Sequence, residues 1–203
     1  MTRKTFTLPD LPYGYDELAP VMSEEQLRIH HDKHHAVYVK TANEIIEKFD
    51  KARDDNSELD YKGQLKALSF NIGGHVLHSL FWKNMAPVAN GGGKISGEIE
   101  KKLIEDFGSW ENFKKQFTAV ALGVEGSGWA ALVYYPEIDR LMCAIIEKHN
   151  QFLTAEMKPL LVMDMFEHTY YIDYKNEKAK FVEAFFGIIN WQEVNERFLQ
   201  SQA

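Results

Sequence analysis

Residues 30–38 read His-His-Asp-Lys-His-His-Ala-Val-Tyr, a stretch that holds four of the eight histidines of the chain. On an α-helix, side chains four positions apart share one face. The spacing therefore predicts that His30, His34 and Tyr38 lie in a line, with His31 and His35 on the neighbouring stripe. Taken alone, this pattern fits a solvated helix face as well as it fits a functional site.

The composition is that of an ordinary globular chain of 203 residues, with 45% hydrophobic and 26% charged residues. A formal net charge of −7 and the lack of a Lys/Arg block argue against nucleic acid as the main partner. No apolar run reaches the ~18 residues that a membrane span needs, and the first residues carry no apolar secretion signal. The single cysteine, Cys143, cannot form an internal disulfide and fits a reducing compartment, so we expect a cytoplasmic protein without a membrane partner.

The first half of the chain is predicted to form an antiparallel helical hairpin. Ser23 and Gln26 form a capping box, and a helix follows to about Phe49. The polar segment 51–60 breaks the pattern, and a second helix is expected over about 61–85. Its predicted apolar face consists of Leu65, Leu68, Ile72, Val76 and Leu80.

Three glycines at 91–93 mark the predicted domain boundary, which divides the chain into an N-terminal hairpin domain, 1–90, and a C-terminal α/β domain, 91–203. In the second domain, Ser96 and Ser109 are expected to cap two helices, and Asn190 the last one. Strands are predicted over 129–135, 141–147 and 160–163. The fold class is therefore α+β.

Two further clusters contain possible metal ligands. His78 lies among Leu, Phe and Trp late in the second helix, and Asp164 and His168 follow the third strand. Each cluster has a structural alternative, a core histidine bonded to a carbonyl or an aspartate that caps a turn. Together with His30, however, these residues suggest one site of three imidazoles and a carboxylate, which suits Fe, Mn or Zn without choosing between them.

These segments resemble the iron/manganese superoxide dismutases, and the resemblance covers nearly the whole chain. The matching motifs, in the family's order, are Leu8–Tyr13, His30–Tyr38, His78–Trp82, Gly126–Trp129, Asp164–Tyr171, Tyr174–Asn176 and Asn190–Trp191. The resemblance implies a helical hairpin followed by an α/β domain with a three-stranded antiparallel sheet. It also implies one Fe or Mn ion per subunit, held between the two domains by His30, His78, Asp164 and His168, with a bound water or hydroxide as the fifth ligand.

The resemblance also assigns roles around the metal. It implies that His34 and Tyr38 form the gateway of the substrate channel and that Trp82 and Trp129 are walls of the site. Glu167 and Tyr171 match residues that reach across a dimer interface, and Lys178 lies near a basic channel position.

Two positions depart from the commonest family pattern. Phe166 stands where many members carry Trp, which keeps an aromatic wall but removes the indole N–H. Gly74 occupies one of the two positions that supply a glutamine beside the bound water, and His149 aligns with the other. His149 is therefore the candidate hydrogen-bond partner of the metal-bound solvent, with a surface histidine in a turn as the alternative.

The function implied by the resemblance is disproportionation of superoxide to O₂ and hydrogen peroxide, with Lys33 and Lys178 as possible steering charges. Two other functions remain possible from the sequence: a Zn-dependent hydrolase with the same four ligands, and a non-catalytic metal-binding scaffold. The choice between Fe and Mn is open, and so is the choice between a homodimer and a homotetramer.

Overall fold

A helical hairpin precedes a small antiparallel sheet that is flanked by five further helices. The computed structural model describes residues 4–202. The hairpin comprises α1 (Glu24–Ile29), a π-helical segment (His30–His35), α2 (Ala36–Asp54) and α3 (Tyr61–Lys83). The second half comprises α4 (Glu98–Phe107), α5 (Trp110–Gly123), β1 (Gly128–Tyr135), β2 (Arg140–Glu147), β3 (Lys158–Asp164), α6 (Glu167–Tyr174), α7 (Lys178–Phe185) and α8 (Trp191–Ser201). This arrangement confirms the predicted α+β class.

The sheet has the strand order β2-β1-β3, and both pairings are antiparallel. Strand β1 lies in the centre and is buried along nearly its whole length, because helices pack against the sheet. In the β1–β3 register, Trp129 lies opposite Asp164. The sheet therefore places a large aromatic side chain beside the carboxylate at the end of β3.

Most of the predicted helix starts are confirmed. The side chains of Ser23, Ser109 and Asn190 each accept a hydrogen bond from a backbone N–H three residues later. In contrast, α4 begins after Gly97 rather than Ser96. The first helix also continues beyond Phe49 to Asp54, and Ala52 in this last turn is buried. Within residues 4–202, no helix is both long and apolar enough to cross a membrane.

The predicted apolar face of α3 is only partly correct, because Leu68, Ile72 and Leu80 are half-buried but the other two residues are not. Leu65 and Val76 are 55% and 45% exposed, whereas the buried face includes Gly74, Leu77 and His78. Helix α3 carries apolar residues around its whole circumference, so their spacing does not determine which side packs inward. The contacts with β3 and with the histidine-rich segment determine it instead.

The histidine cluster lies in a π-helical segment inside one continuous helix. The backbone N–H of Ala36 bonds to the carbonyl of His31, five residues earlier, which widens the helix locally. As a result, His30, His31 and His35 are buried while His34 is only partly buried. The extra residue in this turn spreads the histidines over more of the helix surface than α-helical spacing predicts.

A buried lysine fixes the β1–β2 turn against α4. The Lys102 ammonium lies 3.2 Å from carboxylate oxygens of Glu105 and Asp139 and 3.6 Å from Asp106, and its side chain is only 8% exposed. Asp106 in turn accepts a hydrogen bond from the backbone N–H of Leu141, 2.8 Å away. The charge thus stabilises a connection between a helix and the sheet.

We predict that Lys102→Met lowers the free energy of unfolding by about 1–2 kcal/mol, because the buried Asp106 carboxylate loses its main counterion while two exposed partners can return to water. The matched control is Lys101→Met, since Lys101 forms only an exposed pair with Glu98. Urea unfolding of both variants checks this. Equal stability of the two variants would contradict the proposed importance of the buried charge.

Candidate metal centre

Four side chains from four different elements converge at one buried point. They are His30 at the start of the π-helical segment, His78 on α3, Asp164 at the end of β3 and His168 on α6. One potential ligand atom from each residue lies within 4.8 Å of all the others. Three of the four residues are fully buried, and His168 retains 18% side-chain exposure.

The distances between these atoms describe a tight cluster. Asp164 Oδ2 lies 3.1 Å from His30 Nε2 and 3.5 Å from the Nε2 atoms of His78 and His168. The two Nε2 atoms of His30 and His78 are 3.0 Å apart. The carboxylate oxygen is therefore the shared neighbour of all three imidazoles.

The protonation pattern leaves unprotonated atoms, which can bind a metal ion, at the centre. His78 Nδ1 lies 2.6 Å from the carbonyl oxygen of Gly74, so Nδ1 carries the proton and Nε2 of the neutral ring is unprotonated. Asp164 Oδ2 and His168 Nε2 are buried and have no hydrogen-bond partner among the described residues. Buried polar atoms are rarely left unsatisfied, and a cation at the common point would satisfy these. The residues therefore fit a metal ion with three nitrogen ligands and one oxygen ligand.

Burial favours the neutral form of the two fully buried imidazoles, those of His30 and His78. Desolvation lowers the pKa of His30 to about 4 and holds the pKa of His78 well below its ordinary value. For Asp164, desolvation raises the pKa, but the close imidazoles of His168 and His30 outweigh it and hold the pKa well below its ordinary value. Neutral imidazoles and an ionised carboxylate are the forms that coordinate metals.

His149 lies beside this cluster with a fixed tautomer. The indole N–H of Trp129 donates to His149 Nδ1 over 3.0 Å, so Nε2 carries the proton of the neutral ring. His149 is fully buried, and its Nε2 has no partner among the described residues. The ring stacks on Phe166 with 4.6 Å between centroids and 6° between planes. A buried, oriented N–H donor is therefore available next to the ligand residues.

Two glycines on α3 allow this close packing. A Cβ atom at Gly74 would lie 2.8 Å from the Tyr38 ring, and one at Gly73 would lie 2.3 Å from the carbonyl oxygen of His149. Neither position accepts a larger residue unless its neighbour moves. The glycine pair thus brings Tyr38 and His149 together, with their ring centroids 4.8 Å apart.

His34 and Tyr38 lie on the side of the cluster that is nearer to solvent. The His34 ring stacks on His168 with 4.2 Å between centroids. The ring centroids of Tyr38 and His78 lie 5.1 Å apart, and burial raises the pKa of the Tyr38 hydroxyl. The structure thus brings both residues into contact with the presumed ligands.

Sequence analysis missed a second group of contacts behind the ligands. The Trp82 indole N–H donates to His35 Nδ1 over 2.9 Å, and His35 Nε2 then donates to His75 Nδ1 over 2.9 Å. Gln26 donates through Nε2 to the backbone carbonyl of His168 over 2.6 Å. Its position in the capping box identified Gln26 only as a helix-start residue, and no sequence signal connects it with His168.

The remaining predicted site residues lie at the edge of this region or away from it. Glu167 and Tyr171 are exposed on α6, on either side of His168 in the sequence. Lys33 is exposed as well. The Lys178 ammonium donates to the carbonyl oxygens of Val124 and Leu122 at the end of α5, at 3.0 and 3.4 Å, and its contacts are not with the ligand residues.

The similarity to known proteins extends over nearly the whole chain. Residues 5–86 match the α-hairpin domain of the iron/manganese superoxide dismutases, and residues 95–197 match their C-terminal domain. The chain is 50% identical to a protein named superoxide dismutase [Fe] from Methanothermobacter marburgensis, over 98% of both chains. It is 41% identical to superoxide dismutase [Mn/Fe] from Aeropyrum pernix, over 98% of this chain and 92% of that protein.

A third relative has manganese alone in its name. The chain is 42% identical to superoxide dismutase [Mn] from Mycolicibacterium smegmatis, over 95% of this chain and 92% of that protein. The matched domains together span the hairpin and the sheet, and thus all four presumed ligands. The fold, the donor cluster and these matches lead to one conclusion: the chain belongs to the iron/manganese superoxide dismutase family.

Proposed function

We propose that this protein disproportionates superoxide to O₂ and hydrogen peroxide, with one Fe or Mn ion per chain held by His30, His78, Asp164 and His168. The observation that carries the proposal is the convergence of three imidazoles and one carboxylate, in which Asp164 Oδ2 and His168 Nε2 are buried without a partner among the described residues. The names of the relatives at 41–50% identity support the reaction.

An iron or manganese ion, when bound, supplies the one-electron cycle between trivalent and divalent states that the two halves of the reaction need. Asp164 is the single anionic residue of the ligand set, so the occupied centre retains positive charge. That local charge attracts an anionic substrate even though the whole chain has a net charge of −7.

His149 is proposed to hold solvent at the centre through its Nε2–H group. The support is its tautomer, which Trp129 fixes, and the absence of another described partner for that N–H. Phe166 restricts the ring by stacking but cannot compete as a donor. A neutral donor next to the centre influences the protonation of bound solvent and the reduction potential of the site.

His34 and Tyr38 are proposed to pass protons between solvent and the centre. His34 is partly exposed and stacks on His168, while Tyr38 keeps its proton because burial raises its pKa. Hydrogen peroxide formation consumes two protons, so a path for them is part of the reaction. The aromatic side chains of Trp82, Trp129 and Phe166 are proposed to wall the centre and to limit entry to small molecules.

The two alternative functions have less support. A Zn-dependent hydrolase needs a general base near metal-bound water, but Asp164 is the only carboxylate in the donor cluster found among residues 4–202. A metal-storing scaffold has no use for a partly exposed histidine and a tyrosine in contact with the ligand residues.

Metal reconstitution tests the function directly. We expect superoxide-dismutating activity from protein loaded with Fe or with Mn, and none from the Zn-loaded protein, because Zn²⁺ has no redox cycle. Metal content by mass spectrometry is measured on the same samples, and Asp164→Asn serves as the control for specific binding. Full occupancy with Fe and with Mn but no activity with either would contradict the proposal.

The role of His149 is tested with a pair of variants. We predict that His149→Leu lowers the turnover of the reconstituted enzyme by at least ~10-fold at equal metal content, because the oriented donor is lost. His149→Gln restores an N–H donor and is expected to recover part of that loss. Pulse-radiolysis kinetics with matched metal analysis make the comparison, and equal activity of the Leu and Gln variants would contradict the role of the donor.

We also propose that the protein is a homo-oligomer, at least a dimer. The support is that Glu167 and Tyr171, which flank the partly exposed His168, have exposed side chains that form no hydrogen bond within residues 4–202. Sedimentation of the wild-type protein distinguishes a dimer from a tetramer.

We predict that Glu167→Ala weakens self-association, because the carboxylate is proposed to bind across the interface. Analytical ultracentrifugation over a range of concentrations measures the dissociation constant. Glu183→Ala, an exposed glutamate on α7, is the matched control. An unchanged association state of the Glu167 variant would count against the proposed interface.

Expectations about domains, location and cellular role accompany the function. A division into domains 1–90 and 91–203 agrees with family matches that end at 86 and resume at 95. A cytoplasmic location and an antioxidant role are proposed from the single cysteine and from the reaction.

A further inference from the structure

Helix α3 and strand β3 each deliver a ligand residue, and one buried side chain joins their backbones. Asn84 follows the last residue of α3 and is fully buried. Its Nδ2 donates to the carbonyl oxygen of Leu160 over 3.1 Å, and its Oδ1 accepts from the N–H of Val162 over 2.9 Å. The side-chain amide therefore binds the free edge of β3 in the way that a neighbouring strand does.

The main chain of Asn84 is fixed as well. Its N–H bonds to the carbonyl of Leu80 over 2.9 Å, which closes the last turn of α3, and its carbonyl accepts from the N–H of Asn190 over 2.8 Å. Arg197 adds a second link, because its guanidinium donates to Leu160 over 3.0 Å and to Leu80 over 3.3 Å. All the polar groups of Asn84 are thus engaged, and none can shift alone.

These bonds lie close to the ligand residues along both elements. Leu80 follows His78 by two residues, and Val162 precedes Asp164 by two residues. A shift of β3 along α3 would carry the Asp164 carboxylate with it. We propose that Asn84 is a positioning residue of the metal centre, which sets the placement of Asp164 relative to His78 through the backbone of β3.

This inference rests on the proposed metal site, because it assigns a role with respect to the bound ion. Asn84 does not belong to the ligand cluster, and its amide is satisfied by backbone groups. Its influence is therefore geometric: it changes the ligand field at the ion rather than the chemistry of a donor atom.

The test compares Asn84→Leu with the matched variant Asn195→Leu. Asn195 also binds a backbone group of another element, since its Oδ1 accepts from the N–H of Ile99 over 3.0 Å. This bond leads to α4, which contributes no ligand residue. Both substitutions remove an amide of the same size and leave a backbone group unsatisfied. The pair Asn84→Asp and Asn195→Asp, which keeps the acceptor oxygen, allows the same comparison if a leucine variant fails to fold.

Each variant is loaded with iron and examined in three ways: the EPR spectrum of the ferric form, the rate of iron release to a chelator, and urea unfolding. We expect Asn84→Leu to change the rhombicity of the EPR signal and to release iron at least ~10-fold faster than the wild type. Asn195→Leu is expected to lose stability while keeping the wild-type spectrum and release rate. Asn84→Asp retains the acceptor for Val162, and its spectrum should lie closer to the wild type.

A loss of stability in both leucine variants, with unchanged spectra and release rates, would overturn the inference and leave Asn84 with a structural role only. Neither the spectrum nor the release rate depends on turnover. Wild-type protein that lacks dismutase activity with both iron and manganese would contradict the proposed function, while the comparison between Asn84 and Asn195 would still decide the positioning role.

Discussion

The close approach of three imidazoles to the Asp164 carboxylate is the constraint on which the rest of the structure depends. Asp164 Oδ2 and His168 Nε2 are buried without a partner among the described residues, and the Nε2 atoms of His30 and His78 face each other at 3.0 Å in a fully buried space. Such an arrangement costs free energy, because unsatisfied buried donor atoms have lost their water. The surrounding core must therefore hold the four side chains in place, and the metal returns part of that cost when it binds.

The ligand residues are held in place by neighbours that fix their protons and their backbones. Gly74 fixes the tautomer of His78, Trp129 fixes that of His149, and Trp82 fixes that of His35, which stacks on His78. Each bond fixes the state of the other ring nitrogen: Nε2 of His78 is unprotonated, and Nε2 of His149 and of His35 carries the proton, which His35 donates to His75. The aromatic residues around the centre thus orient polar groups in addition to excluding solvent.

The sequence predicted the convergence of four side chains better than it predicted the packing. The three histidines and Asp164 could be found because metal ligands need particular side chains, and these recur in recognisable motifs. The inward face of α3 could not be predicted, because Leu65 and Val76 fit an amphipathic helix as well as the buried residues do. The π-helical turn at 30–35 likewise depends on backbone bonds that residue types do not determine. Contacts such as Gln26 with His168 connect residues 142 positions apart, so local sequence patterns cannot reveal them.

The arrangement also explains why the two halves of the chain form one functional unit. His30 and His78 belong to the hairpin, whereas Asp164 and His168 belong to the segment that includes the sheet. An ion bound to all four residues stabilises only the assembled structure, because an unfolded chain or a separated hairpin offers an incomplete ligand set. The polar contacts between the end of α3 and β3 favour the same assembled structure before the metal binds, since they align the helix with the strand. Folding of the protein matrix and formation of the metal site are therefore coupled through the same interface between the hairpin and the sheet.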